Sequence, residues 1–369
     1  MVRTLAGLVA VVALGACGST PTVSGGAASS ARESPQATGA KASVYGVLVD
    51  LHAADPLTYK VSVVSSQGTV AASFKAARRS LPAGALELPY VSTTATSLYY
   101  LDGDTNVRQV NLPDMYQVPV PVTQLAVPTG SEAVFAVSPD NLEIAVSLLD
   151  FTRSPVHVTL FTESVKGIDR HVIFESDTDY VWPVAWRKGL LVLAHGYGVY
   201  LTDALKAGPG QDNPYWAISY HVVDPTNAFR KALVGEACTV SGPLSPAGTA
   251  CIQGGTEDWS GANTNWSTND WGSISSAASL SPDGSFVAAA QPDDDSRLAF
   301  YRPGGAIATW VTGPGRREWA GWLDNLHVIV ASSTSDFQPR IITLSPGPSP
   351  AIFVNASGFY AARLPADIV

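Results

Sequence analysis

The chain has 369 residues, a net charge of −9 and only 14% charged residues, whereas a soluble domain carries roughly 25%. An acidic chain without a run of Lys and Arg lacks the clustered positive charge that binds phosphate backbones, so we expect no nucleic-acid partner. Gly (32) and Pro (26) are frequent and Met (2) is rare. This balance favours short strands joined by tight turns and excludes a coiled coil or a helical bundle.

The first residues have the pattern of a bacterial export signal. Arg3 supplies a positive charge, and the apolar stretch from Leu5 reads LAGLVAVVAL, a length that suits a signal peptide and is too short to span a bilayer. The stretch ends in Leu14-Gly15-Ala16-Cys17, which resembles the lipobox of bacterial lipoproteins. The resemblance implies removal of residues 1–16 and a lipid on Cys17 that anchors the protein in the cell membrane, facing the extracytoplasmic side. The alternative is an ordinary secretory signal with an unrelated cysteine.

Residues 17–43 are predicted to form a lipidated, disordered tether. They contain no aromatic residue and almost no large apolar residue, so they cannot bury enough surface to offset the entropy lost on ordering. We therefore expect residues 44–369 to form the folded domain.

The remaining two cysteines, Cys238 and Cys251, are predicted to form a disulfide, because exported proteins meet an oxidising environment. Such a bridge would stabilise the fold by roughly 3 kcal/mol on the chain-entropy model. A tight turn at residues 246–248 would place Cys251 opposite about Pro243 instead of Cys238. The disulfide therefore requires a bulge or loop before that turn.

A phrase built around Ser-Pro recurs along the folded part. It occurs as SPDN at 138–141, SPAG at 245–248 and SPDG at 281–284, each followed by an apolar segment. Weaker copies surround Trp186 and Trp322. Pro sets φ at the entry of a turn, and Asn or Gly accepts the positive φ that a tight turn requires. Each copy therefore predicts a strand, a turn and a second strand.

The spacing of these turns predicts an all-β fold, a β-propeller. Turns near residues 96, 140, 188, 247, 283 and 324 are roughly 40–50 residues apart, which leaves room for four strands in each repeat. Residues 44–75 would supply another unit, and the segment 358–364 would pair with it and close the ring, which removes exposed sheet edges. We predict seven four-stranded blades, with six or eight as alternatives.

The phrase Ser281-Pro282-Asp283-Gly284 before an apolar strand is similar to the repeat of TolB-like, or WD40-like (PD40), bacterial propellers. Taken whole, the chain resembles lipoprotein propellers of actinobacterial type whose function is uncharacterised. The resemblance implies the fold and not the function. The chain has no evident N-terminal domain of the TolB kind, so the partners of TolB are not carried over.

The loop at residues 258–271 is the best candidate binding site in the sequence. Three tryptophans stand among Asn, Thr, Ser and Asp without the alternation of a strand. Flat rings stack on sugars, polar groups bond their hydroxyls, and exposed aromatics also form protein-binding hot spots. The alternative is that Trp259 lies in a strand core and the other two fold back over a blade edge. The candidate residues are Asp258, Trp259, Asn263, Asn265, Trp266, Asp270 and Trp271.

The sequence contains none of the common linear motifs of catalysis or metal binding. We therefore predict no catalytic residue, no metal site and no cofactor. His195 and His221 fall in one predicted blade and could meet in space, although structural or surface roles are the more common fate of such histidines.

Two functional hypotheses follow. The first is a membrane-tethered, extracytoplasmic propeller that acts as a binding scaffold for an envelope protein or glycan. The alternative is a propeller enzyme, a hydrolase or lyase with its site in the central funnel, because residues contributed singly by several blades would leave no linear motif.

Overall fold

A computed structural model describes most of the predicted folded domain. It covers residues 44–52, 55–80, 91–112, 115, 118–196, 217–238, 241–251, 254–262, 266, 278–291, 294–311, 319–332, 337–344 and 350–366. The predicted signal peptide at 1–16, the tether at 17–43 and the lipidation site Cys17 lie outside the described residues, so these remain predictions.

The described residues form strands, and they include no helix long and apolar enough to cross a membrane. The strands in the first half of the chain are β1 (Tyr45–Asp50), β2 (Thr58–Ser65), β3 (Val70–Ala77), β4 (Val91–Thr93), β5 (Ser97–Asp102), β6 (Asn106–Asn111), β7 (Val120–Gln124), β8 (Ser131–Val137), β9 (Glu143–Asp150), β10 (His157–Ser164), β11 (His171–Ser176), β12 (Tyr180–Arg187) and β13 (Leu190–Gly196). Those in the second half are β14 (Ser219–Val223), β15 (Arg230–Val234), β16 (Thr249–Ala250), β17 (Thr256–Glu257), β18 (Ala278–Leu280), β19 (Val287–Gln291), β20 (Asp294–Arg302), β21 (Gly305–Val311), β22 (Trp319–Trp322), β23 (His327–Ala331), β24 (Arg340–Thr343), β25 (Ile352–Phe353) and β26 (Phe359–Leu364).

The strands pair into antiparallel sheets that follow the chain, and we number these sheets as blades. Blade 1 has the order β26-β1-β2-β3, and blades 2, 3 and 4 are β4–β7, β8–β11 and β12–β15. Blade 5 is the pair β16-β17, and blades 6 and 7 are β18–β21 and β22–β25. Within the described part of the chain, six sheets therefore have four strands and one has two. The predicted count of seven four-stranded blades is met by six, and blade 5 is the exception.

Innermost strands of neighbouring blades contact one another around most of the ring. Strand β26 contacts β22 and β4, β8 contacts β4 and β12, and β18 contacts β16 and β22. Successive four-stranded sheets whose inner strands meet in this way form a β-propeller. The predicted fold class is thus confirmed.

The end of the chain closes the ring within blade 1. Strand β26 pairs antiparallel with β1, with Tyr45 opposite Leu364 and Val49 opposite Phe359. The last described strand therefore supplies the inner edge of the first blade, as the sequence predicts. Closure leaves the inner edge of β1 paired, which protects it from pairing with another chain.

The Ser-Pro-Asp phrase forms a hydrogen-bonded turn. In blade 3 the Ser138 hydroxyl donates to Asp140 at 2.6 Å and accepts a bond from the backbone N–H of Glu143 at 2.9 Å. Blade 6 repeats the turn, with the Ser281 hydroxyl donating to Asp283 at 2.8 Å. The residue after Asp has positive φ in both turns, which explains the Asn and the Gly at that position.

The predicted disulfide is present between Cys238 and Cys251, whose Cα atoms are 5.0 Å apart. Cys251 forms a bridge pair with Ser241 and not with Cys238. Ser245 pairs with Gly248 and Ser241 with Cys251, so the register shifts by one residue before the turn, where the disulfide requires a bulge or loop.

Candidate functional site

Two histidines meet on one face of blade 4. Strands β13 and β14 pair so that Leu193 lies opposite His221 and His195 lies opposite Ser219. Cross-strand partners point to the same face of a sheet, and diagonal neighbours are within reach of large side chains. The imidazole centroids of His195 and His221 are 5.0 Å apart with 34° between the ring planes. The two rings, which the sequence assigns to one blade, therefore do meet.

The histidines open onto a cavity of about 650 Å³ between blades 3 and 4. Leu160 and Phe174 contribute its wall from blade 3, and Val181 and Leu193 contribute from blade 4. Pockets for small organic ligands occupy roughly 300–1,000 Å³ and combine an apolar lining with a few polar groups. The cavity has both the size and the lining of a ligand site.

The alternation of β13 explains why a cavity forms beside His195. Leu191 and Leu193 are buried and belong to an apolar cluster with Leu160 of blade 3. His195 occupies the next position on the same face, near the end of the strand, and is only partly buried. The packed interface between the blades therefore gives way to a cavity where the apolar alternation ends.

Burial sets the protonation of both histidines. It lowers the pKa of His195, against the opposing charge of Asp179. The pKa of His221 is lowered to about 4, mainly by burial and further by the charges of His195 and Arg230, while the negative charge of Asp179 raises it. Since both pKa values lie below the ordinary value of 6.5, both imidazoles are predominantly neutral at pH 7.

The ring nitrogens of this pair are free to accept or donate. Among the described residues, neither His195 nor His221 has a side-chain hydrogen-bond partner. Two other histidines differ, since Nδ1 of His157 lies 2.7 Å from a carboxylate oxygen of Asp177 and Nδ1 of His327 lies 2.8 Å from one of Asp324. Unpaired polar groups that face a cavity are the groups a ligand would satisfy.

Three exposed charged residues complete the lining. Asp179, Arg230 and Glu236 all border the cavity. With both histidines neutral, these groups leave a net charge of about −1 around the cavity at pH 7. This net negative charge favours a neutral or positively charged ligand over an anion.

The predicted aromatic loop is engaged in packing where the structure describes it. The indole N–H of Trp259 donates to the carbonyl oxygens of Ser245 and Pro246 at 3.1 and 2.8 Å. The guanidinium of Arg187 lies 4.1 Å from the Trp259 ring centroid. Asp258 forms a local turn with Ser260, accepting its backbone N–H at 2.8 Å.

Trp266 is buried as well. Its side chain is 7% exposed, and its indole N–H donates to the carbonyl of Gly284 in blade 6 at 3.1 Å. Little of this ring is open to a ligand. Asn263, Asn265, Asp270 and Trp271 lie outside the described residues, so ligand binding by this loop stays a prediction.

A third group of side chains has a structural role. Cys238, Cys251 and Glu257 converge in the core, but the two cysteines are joined as the disulfide. The Glu257 carboxylate accepts the backbone N–H groups of Gly235 and Ala237 at 2.6 and 2.8 Å. The cluster holds the segment around Cys238 in place.

Neither the family models nor the curated proteins contain a match to this chain. Solved structures that resemble it include an oligogalacturonate lyase from Vibrio parahaemolyticus, with 10% identity, coverage of 82% of this chain and 97% of the lyase, and a TM-score of 0.43. Prolyl oligopeptidase B from Galerina marginata has 10% identity, coverage of 81% and 46%, and a TM-score of 0.41. The C-terminal WD40 domain of Sif2 has 12% identity, coverage of 70% and 71%, and a TM-score of 0.31. Similarities this low transfer no activity to the present chain.

Proposed function

We propose that the chain is a membrane-tethered, extracytoplasmic propeller that serves as a binding scaffold, with a ligand site in the cavity between blades 3 and 4. The observation that carries this proposal is the pair of unpartnered imidazoles facing a cavity of about 650 Å³. A rigid ring of sheets positions such groups without the need for a folding step on binding.

The extracytoplasmic location rests on the sequence at Cys17 and on the disulfide. The lipobox-like Leu14-Gly15-Ala16-Cys17 ends an apolar stretch of signal-peptide length. The Cys238–Cys251 bridge fits an oxidising compartment. The variant Cys17→Ser tests the anchor by membrane fractionation, since it should move the protein from the membrane to the soluble fraction. Retention in the membrane would contradict lipidation.

The cavity would take a small organic molecule with an apolar part and at least one polar group. Its wall residues Leu160, Phe174 and Leu193 favour an apolar surface, and its histidines can both donate and accept hydrogen bonds. The loop at 258–271 would then serve as a separate contact to an envelope protein or glycan.

A thermal-shift screen of the full chain in detergent, against small envelope metabolites and glycans, tests the ligand site. His221→Gln removes an imidazole at the cavity, and His171→Gln is the matched control because His171 is exposed on β11 and is not part of the cavity lining. A ligand whose binding is lost in His221→Gln and kept in His171→Gln supports the proposal. A ligand lost only in Trp259→Ala moves the site to the loop. Chemical conversion of a bound ligand would instead favour the enzyme hypothesis.

A further inference from the structure

The cavity histidines have the composition of a site for a transition-metal ion. Imidazole nitrogen suits Zn²⁺, Cu²⁺ and Ni²⁺, whereas Mg²⁺ and Ca²⁺ prefer oxygen. His195 and His221 come from adjacent strands of one sheet. The backbone ladder fixes their relative position, so neither side chain needs a loop movement to reach the other.

The separation of the rings fits a shared ion. A metal–nitrogen bond of about 2.1 Å places the centroids of two imidazoles on one tetrahedral metal roughly 5 Å apart. The observed separation between the His195 and His221 centroids is 5.0 Å. A shared ion therefore requires no large change in the distance between the two rings.

The ring nitrogens of His195 and His221 also form no side-chain hydrogen bond among the described residues. As shown above, the described residues offer neither His195 nor His221 a side-chain hydrogen bond, while Asp177 engages His157 and Asp324 engages His327. A metal ion would satisfy one nitrogen on each cavity histidine. The partly buried position of both rings would exclude part of the competing water.

The charges around the pair suit a cation. Asp179 lies close enough to act electrostatically on both imidazoles, and Glu236 adds a second carboxylate against the single guanidinium of Arg230. Within the described part of the chain, no third His, Cys or carboxylate converges on the pair at bonding distance. The remaining coordination positions would be open to water or to oxygen atoms of a bound organic ligand.

We propose that His195 and His221 together bind one divalent transition-metal ion, of the Zn²⁺ or Cu²⁺ kind, in the cavity between blades 3 and 4. This inference rests on the ligand site of the proposed function and names the class of ion it would hold. It departs from the sequence-based expectation of no metal site, which treated a structural or surface role as the more common fate of His195 and His221.

The test is calorimetric titration of the full, untagged, metal-free chain with Zn²⁺ at pH 7.5, together with electron paramagnetic resonance of the Cu²⁺ form. We expect one saturable site for Zn²⁺, hyperfine coupling of Cu²⁺ to imidazole nitrogen, and no saturable binding of Mg²⁺. His195→Ala and His221→Ala should each weaken the affinity at least tenfold. The matched controls are His157→Ala and His327→Ala, which remove histidines already bonded to a carboxylate and should leave the affinity unchanged.

Several results would overturn the proposal. These are unchanged Zn²⁺ affinity in the double variant His195→Ala/His221→Ala, equal loss in the control variants, or no saturable binding below about 1 mM. Circular dichroism and thermal denaturation must first show that each variant is folded, and His221→Gln provides a second, size-conserving variant. If Zn²⁺ does not bind and organic ligands bind the cavity in a His221-dependent way, the metal inference fails and the proposed function stands. If Zn²⁺ binds and no organic ligand does, the metal inference stands and the proposed organic-ligand site fails.

Discussion

The indole N–H of Trp186 in blade 4 donates a hydrogen bond of 3.1 Å to the backbone carbonyl of Ala136 in blade 3. Trp322 of blade 7 makes the equivalent bond to Ser279 of blade 6 at 3.0 Å. Ala136 and Ser279 each precede a Ser-Pro-Asp turn by two residues. A tryptophan in a weak copy of the repeat therefore ties its blade to a strong copy in the preceding blade.

This connection predicts unequal effects for two tryptophans on the same strand. Trp182 and Trp186 both lie on β12 and are 3% and 4% exposed, but Nε1 of Trp182 has no hydrogen-bond partner among the described residues. Trp186→Phe removes the indole donor to the Ala136 carbonyl, and losing one hydrogen bond costs about 0.5–1.5 kcal/mol beyond the lost packing. Trp182→Phe loses packing alone.

Urea denaturation of both variants measures the difference. We expect Trp186→Phe to lower the free energy of unfolding more than Trp182→Phe does. Equal losses would show that the hydrogen bond between the blades contributes nothing measurable.

The propeller fold could be predicted from the sequence because the turn residues that define each repeat are adjacent along the chain. The turn residues Asp140-Asn141 and Asp283-Gly284 mark the hairpins directly, and their spacing counts the repeats. The strands of blade 5 were harder to predict from the sequence, because its turn at 245–248 is flanked by short strands and the disulfide. Among the described residues of this blade, the disulfide and the short pair β16-β17 join the segments.

The disulfide should therefore matter for stability. Replacing both Cys238 and Cys251 with Ser removes a cross-link between residues 13 apart in sequence, and we expect a loss of roughly 3 kcal/mol in the free energy of unfolding on the chain-entropy model. Urea denaturation measures the loss, and reduction of the wild type should reproduce it. Cys17→Ser is the control and should leave the unfolding midpoint unchanged. A double variant as stable as the wild type would rule out a stabilising role.

Ring closure by β26 predicts a strong effect of truncation. A chain that stops after Ser357 loses the strand paired with β1 and the contacts of β26 with β4 and β22. The exposed edge of β1 then offers unpaired backbone groups to other chains. We expect aggregation in size-exclusion chromatography and a broadened thermal transition, whereas removal of residues 367–369 alone should keep the elution volume of the full chain. A truncated chain that elutes and unfolds like the full chain would contradict the role of β26.

The candidate site was harder to predict from the sequence than the fold. His195 and His221 could be assigned to one blade, but Asp179, Arg230 and Glu236 carry no motif and reach the cavity from separate segments. One pattern in the sequence does mark the position of the cavity. The apolar alternation of Leu191 and Leu193 ends in a histidine on the same face, which marks the end of tight packing. The sequence favoured the aromatic loop because its tryptophans stand among polar residues without strand alternation, but Trp259 and Trp266 both donate their indole N–H groups to backbone carbonyls.

The depressed pKa of His221 predicts its titration. Burial, His195 and Arg230 lower the pKa to about 4, so the imidazole should remain neutral in the folded protein at pH 5. Histidine resonances followed by NMR from pH 8 to pH 4 measure this directly, with His221→Asn identifying the signal. The groups that act on the ring are His195, Arg230 and Asp179, and Glu236 also lines the cavity. A midpoint near the ordinary value of 6.5 would contradict the burial of the ring.

The same shift couples stability to pH. In the unfolded chain the imidazole takes up its proton near pH 6.5, while in the folded chain it does so only near pH 4. Between these values the unfolded state binds more protons, so the free energy of unfolding falls as pH decreases through this window and is unaffected by this group above it. His221→Asn removes this contribution and should flatten the decline between pH 7 and pH 5. A slope in His221→Asn equal to that of the wild type would show that His221 is not desolvated.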